Sequence, residues 1–284
     1  MRIVIVSGLS GSGKTIALQT LEDVGYYCVD NLPFKLIRPL AQAILAASTT
    51  PPPVAVGVDS RDFLDELSHF SSILNELRDS SLIVDVLFLQ ADDEVLLKRY
   101  SETRRRHPLS PGDVPLQDAI RRERELLEPI VMHADLIIDT STTNLYQLRD
   151  MIRTRVHNTP PNAMSLLLKS FGFKNGVPAD ADFIFDVRCL PNPHWEPLLR
   201  PLTGQDAPVI EFLVSQPEAM EMIDDLRQFL ETWLPRFETS NRSYLTVSIG
   251  CTGGQHRSVF IANALAKHFS TIRRHVMVHH RELE

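Results

Sequence analysis

Short apolar runs rich in β-branched residues recur through the first half of the chain, at residues 3–6, 26–29, 54–58, 84–89 and 136–138. Between them lie segments such as 35–47 and 63–78, whose apolar residues recur at helical spacing. Strands that alternate with amphipathic helices predict a parallel α/β sheet, with its ligand edge at the carboxyl ends of the strands. Near Thr159, Pro160, Pro161 and Asn162 the alternation breaks, and a new strand-like run follows at 164–169. Two α/β domains are therefore expected, 1–157 and 162–284. The second carries strand-like runs at 180–188 and 245–249, a helix over 258–269 and an alternating edge at 272–281.

A length of 284 residues also favours two domains, each large enough for its own core. The three cysteines, Cys28, Cys189 and Cys251, are far apart and form no metal-type pair. The opening residues 1–6 read as a strand rather than a signal peptide, so a reducing cytoplasm is expected. With 43% hydrophobic and 23% charged residues, and no apolar run long enough to span a bilayer, the chain reads as a soluble protein with no membrane partner. A formal charge of −7 excludes a surface that coats nucleic acid as a whole, and leaves RNA or DNA contact to a local basic patch.

Directly behind the first apolar run stand Gly8, Leu9, Ser10, Gly11, Ser12, Gly13, Lys14 and Thr15. This is a phosphate-binding loop in its strand-to-helix setting. Glycines let backbone N–H groups converge on phosphate oxygens, Lys14 adds a point charge, and the Thr15 hydroxyl can ligate Mg²⁺. Asp30, Asp59 and Asp92 fall near strand ends. Asp59 best fits the apolar-strand-then-Asp pattern that holds Mg²⁺, and Asp92 is its rival. Lys14, Thr15 and Asp59 are thus the expected centre of the chemistry, while no catalytic base is assignable. Arg99, Arg104, Arg105, Arg106 and His107 precede the Pro-rich stretch 108–115 and form either a phosphate-neutralising lid or a solvated basic face.

A second glycine loop follows residues 245–249: Gly250, Cys251, Thr252, Gly253, Gly254, Gln255, His256, Arg257 and Ser258. Strand, loop and helix again suggest an anion site, with amides around Gly253 and Gly254 and the Arg257 fork facing a phosphate or a phosphosugar. The Cys251-to-Arg257 spacing also matches the core of the cysteine-phosphatase loop, in which a thiolate attacks phosphorus; here Gly250 replaces the usual preceding His. Asp186, Arg188, His194 and Trp195 lie in two further loops that suit a ligand edge. Arg273, Arg274, His279, His280 and Arg281 put cations on the final alternating run, where a phosphate backbone could bind.

Six ordered motifs resemble the RapZ family of RNase adapter proteins: the loop 8–15, residues 27–33, 170–174, 186–188, 191–195 and 250–254. The resemblance covers essentially the whole chain. It implies an N-terminal P-loop domain like a nucleoside or small-molecule kinase and a C-terminal domain like one lobe of phosphofructokinase. It also implies ATPase and GTPase activity, with ATP on residues 8–15 and a guanine nucleotide on Asp59, Ser60, Arg61 and Asp62. The implied ligand of the second domain is glucosamine-6-phosphate, on His194, Thr252, Gly253 and Arg257, as a signal that controls amino-sugar synthesis. Implied partners are a small regulatory RNA, held by the terminal segment including Lys267, Arg273, Arg274, His279, His280 and Arg281, an endoribonuclease and further copies of the chain. Gln255 and the final Arg281, Glu282, Leu283 and Glu284 depart from the family pattern by removing positive charge, which weakens the RNA expectation most. A small-molecule kinase with its acceptor near Asp30, and a cysteine phosphatase using Cys251, are the alternatives.

Overall fold

The computed structural model describes residues 1–59, 70–79, 82–103, 106–110, 114–157, 163–240 and 242–283. It divides into two compact units, Met1–Pro161 and Asn162–Glu284.

In the first unit five strands form one parallel sheet: β1 (Arg2–Gly8), β2 (Tyr27–Val29), β3 (Val54–Gly57), β4 (Ile83–Gln90) and β5 (Leu136–Asp139), in the order β2-β3-β1-β4-β5. The α/β expectation holds, and each apolar run of the sequence lies within or against one of these strands. β1 is buried along its whole length because it has neighbours on both edges and helices on both faces. Its connections are the helices α1 (Lys14–Asp23), α2 (Ile37–Ala47), α3 (Phe70–Asp79), α4 (Asp93–Thr103), α5 (Leu116–Val131) and α6 (Leu145–Met151). Ile3, Ile5, Val56, Val86 and Phe88 from the sheet meet Ile37, Leu74, Ile120 and Leu127 from these helices in one core. The helix expected over 63–78 is seen as α3; its earlier part lies outside the described residues.

The second unit is a four-stranded parallel sheet of β6 (Ser165–Gly172), β7 (Phe183–Asp186), β8 (Tyr244–Cys251) and β9 (Val276–His280), in the order β7-β8-β6-β9. The helices α7 (Ala207–Val214), α8 (Pro217–Thr239) and α9 (Arg257–Ile272) accompany it. β6 and β8 are central and wholly buried, whereas β7 is an edge that exposes alternate residues and β9 an edge that is half-buried except at Val278. All strands in each sheet being parallel, every strand of a sheet ends on one side. That side is where β1 runs into the first glycine loop and β8 into the second.

One buried ion pair ties two adjacent inner strands of the first sheet together near the end opposite the first glycine loop. Arg2 at the start of β1 donates from Nε to Asp85 Oδ2 of β4 at 2.8 Å, and from Nη1 to the Val156 carbonyl at 2.7 Å. Both side chains are less than one-tenth exposed. Asp85→Ala would strand the guanidinium in the core, and a loss of about 3 kcal/mol is expected in urea unfolding monitored by circular dichroism; a change smaller than about 1 kcal/mol would show that the pair is solvated.

Candidate functional site

Gly8, the last residue of β1, delivers the chain into the first loop, and α1 begins at Lys14. Gly13 caps that helix with φ 110°, a conformation that an L side chain resists, and a Cβ there would stand 2.7 Å from Leu148 Cδ2. The remaining geometry follows from what grips the loop. Arg99 of α4 donates from Nη1 to the Gly11 carbonyl at 3.0 Å and from Nη2 to the Thr140 carbonyl at 2.6 Å. Thr140, just beyond β5, donates its hydroxyl to the Ser12 carbonyl at 2.9 Å. A peptide's C=O and N–H point in opposite directions, so holding the Ser12 carbonyl outward turns the Gly13 N–H inward.

Among the described residues, the N–H groups of Gly11, Gly13 and Thr15 have no acceptor, and the Ser12 hydroxyl is buried without a partner. These donors sit at the start of α1, where the helix dipole adds positive potential. Lys14 lies across the loop, its Nζ donating to the Gly8 carbonyl at 2.6 Å. The Thr15 side chain is exposed. Asp59 follows β3 and Asp92 follows β4, the two neighbours of β1, so both emerge on the loop side of the sheet. Asp59 is buried and Asp92 exposed. Ser60, Arg61 and Asp62, expected to bind a guanine nucleotide, lie outside the described residues, as do Arg104 and Arg105.

Two expectations need correction. Ser10 does not offer its amide to the loop interior: its N–H donates to Glu123 Oε2 at 2.8 Å and its hydroxyl to Glu123 Oε1 at 2.7 Å. His107 is not part of a basic surface. It is 3% exposed, its Nδ1 accepts the Leu109 N–H at 3.1 Å, and its Nε2 therefore carries the hydrogen that meets Glu123 Oε2 at 3.1 Å. Arg99 likewise serves the loop backbone instead of a lid, and Arg106 alone of the described arginines in that run is exposed.

Glu123 was missed by sequence reasoning although it left a signal. On α5 it occupies the apolar stripe made by Ile120, Leu127 and Ile130, where a carboxylate demands partners. Burial raises its pKa, but the bond from His107, the charge of Lys14 and the two bonds from Ser10 together outweigh that and leave it below the ordinary carboxylate value.

In the second unit β8 ends at Cys251, and α9 begins at Arg257. Gly254 has φ 75°, and a Cβ there would run into Gly172 N at 2.6 Å and into the Glu282 carboxylate, so the position admits only glycine. The backbone there is packed against the 170–174 motif. The expected amide cradle is also occupied. Gly254 N–H donates to Cys251 Sγ at 3.2 Å, and the Ser258 hydroxyl stands 3.2 Å from the same sulfur. Burial raises the Cys251 thiol, yet these bonds and those from the Ser258 and His256 N–H groups outweigh it, so its pKa is lowered. Cys28, by contrast, is pushed up to about 11 by burial.

Arg257 is nearly fully buried, with Nη1 donating to the Arg188 carbonyl at 2.8 Å and the Leu190 carbonyl at 2.9 Å. Its Nε has no partner, and its Nη2 reaches Thr252 Oγ1 at 3.4 Å. The Nε–Nη2 edge is the edge of a guanidinium that suits a bidentate oxyanion. The structure thus brings Arg257 and Thr252 together. His194 has its ring 6.2 Å from the His256 ring of the same loop and 6.0 Å from Trp195, both His194 and Trp195 being exposed. Gly253 is half-buried with open space beside it. Asp186 and Arg188 are a solvent-facing ion pair at 2.7 Å.

The six cations expected to meet RNA do not form one free face. Lys267 and Arg274 are exposed. Arg273 is paired with Glu238, and Arg281 donates to the carbonyls of Gly172, Asn175 and Gly176 and to Glu282. His280 is bonded to Ser170 and Asn263, burial lowers its pKa, and His279 is partly buried beside it on β9.

Residues 1–159 match the model for the RapZ-like N-terminal domain, and residues 164–284 match that for the RapZ C-terminal domain. Curated relatives include a nucleotide-binding protein of Methylococcus capsulatus, 54% identical over 284 residues, covering 100% of this chain and 96% of its own. Another is a nucleotide-binding protein of Pseudomonas putida, 52% identical with 100% of both chains covered. Among solved structures, shikimate kinase from Bacteroides thetaiotaomicron aligns at 13% identity and a TM-score of 0.36, over 53% of this chain and 94% of the kinase. Among the described residues no helix is long and apolar enough to cross a membrane.

The lowered Glu123 pKa has a sign. Stability from ionised Glu123 is complete above its ordinary value of 4.5 and is lost as pH falls through the lower folded value. The melting temperature of the wild type should therefore fall more steeply than that of Glu123→Gln between about pH 5 and pH 3; parallel acid limbs would show that the carboxylate is not held ionised.

Proposed function

The chain belongs to the RapZ family, and on that footing we propose that it is a regulatory nucleotide-binding protein whose first domain hydrolyses ATP or GTP slowly. The observation that carries this is the set of unmet donors in the first loop: the N–H groups of Gly11, Gly13 and Thr15 and the Ser12 hydroxyl around Lys14. A polyphosphate satisfies them together, its charge matching the helix N-terminus and Lys14. Mg²⁺ would neutralise phosphate charge, with the Thr15 hydroxyl and Asp59 as the residues that hold it. Lys14 binds the phosphate oxygens. Arg106, which is exposed, is the arginine of that run proposed to add positive charge.

For the second domain we propose a phosphorylated sugar as ligand, glucosamine-6-phosphate by the family analogy, with its phosphate on the Arg257 fork and the Thr252 hydroxyl. Gly253 leaves room for the approach, and His194 reaches the rest of the ligand. RNA binding would use the exposed Lys267 and Arg274, in a cytoplasmic homo-oligomer that presents small RNA to an endoribonuclease. The lowered Cys251 pKa and its spacing from Arg257 favour a second reading, a cysteine phosphatase.

Lys14→Ala is expected to weaken ATP and GTP binding strongly in titration calorimetry while leaving the chain folded, since Lys14 stands on the loop rather than in the core. Unchanged affinity would remove the nucleotide reading, and loss of phosphate release in Cys251→Ser but not Lys14→Ala would favour the phosphatase. Arg257→Lys, which keeps the charge but not the fork, should weaken sugar-phosphate binding by about tenfold. The RNA reading fails if crosslinking in the native cell and sequencing recover no RNA with the wild type.

A further inference from the structure

We infer that Glu123 is the positioning residue of the nucleotide loop, with His107 as the anchor that holds its carboxylate in place; this rests on the nucleotide reading above. Glu123 touches no phosphate site itself. Its side chain and that of His107 are both 0% exposed. A carboxylate so placed is retained only where several donors converge on it, and three do: the Ser10 N–H, the Ser10 hydroxyl and His107 Nε2–H. His107 can supply its hydrogen from Nε2 because the Leu109 N–H occupies Nδ1.

The consequence for the loop is geometric. Ser10 stands beside Gly11, which has φ 88°, and three residues before Gly13, which has φ 110°. Glycine brings no side chain to hold such conformations, so the restraint must come from outside. Glu123 takes both donors of Ser10 on one flank, while Arg99 and Thr140 take the carbonyls of Gly11 and Ser12 on the other. Between these two grips the Gly11, Gly13 and Thr15 amides are preset to face one ligand, and the cost of ordering them is met before the nucleotide arrives. The negative charge of Glu123 is offset by the Lys14 charge that acts on it and by the donors of Ser10 and His107.

The test measures affinity for a fluorescent ADP analogue with Mg²⁺, alongside melting temperature, in the full chain. Glu123→Ala should weaken affinity about 10- to 100-fold. His107→Gln, whose amide reproduces the Nε2–H donor, should bind within about threefold of wild type, while His107→Ala should lose about tenfold. The double variant Glu123→Ala with His107→Ala should be no weaker than Glu123→Ala alone, since both act through one carboxylate. Ser10→Ala, a smaller change, should lose a few-fold, and it keeps the assignment testable should Glu123→Ala fail to fold. Wild-type affinity in the Glu123 or Ser10 variant while Lys14→Ala fails to bind would overturn the positioning role and leave the nucleotide reading standing. Equal losses in His107→Gln and His107→Ala, or additive losses in the double variant, would also overturn it. Absence of binding by the wild type would overturn both.

Discussion

A helix that starts immediately after a parallel strand exposes N–H groups with no partner inside the helix, and the architecture of this protein follows from how those groups are used. Both sheets are parallel, both central strands end in glycine loops, and both following helices lack a side-chain cap on their first residues. α6 shows the alternative: Asn144 accepts from the Tyr146 and Gln147 amides at its start, and Gln147 returns the bond to the Asn144 N–H. In the first loop N–H groups are left without an acceptor, whereas in the second they converge on a sulfur. The two loops share a strand-loop-helix setting and differ in chemistry.

Much of this was legible. Runs at residues 3–6, 54–58, 84–89 and 245–249 announced buried parallel strands, since a strand covered on both faces reads as continuous apolar sequence. The glycine spacing around Lys14 announced the first loop. The carboxylate that braces it was not legible, because Glu123 is more than 100 residues from Ser10 in the chain, and only the fold joins them. A Glu on an apolar helix stripe signals that some partner exists without saying which. His107 misled for a related reason: next to arginines it read as part of a charge run, whereas the fold turns its ring inward.

The second loop shows a different limit. Spacing placed Cys251, Thr252, Arg257 and Ser258 correctly in one loop, but it could not say which way the amides would turn. They turn toward Cys251, because a buried sulfur at the end of β8 would otherwise stand beside N–H groups that had no acceptor. What remains for an external anion is then a side-chain fork and a hydroxyl, not a nest of main-chain donors. Such a site discriminates by the planarity of the guanidinium, which makes the orientation of Arg257 the quantity that matters. Two carbonyls, those of Arg188 and Leu190, fix that orientation.

The same reasoning bears on the cations of the terminal edge. Sequence counts charges, while binding depends on charges that are not already spent. Arg281 meets three carbonyls and a carboxylate, and Arg273 meets Glu238, so their contribution to an external phosphate backbone is much reduced. In a protein whose formal charge is −7, any polyanion must be drawn in by the few cations left uncompensated. Lys267 and Arg274 are such cations on the second unit. Under the RNA reading, two such charges would supply only a weak, salt-sensitive attraction, and specificity would have to come from shape or from a second protein.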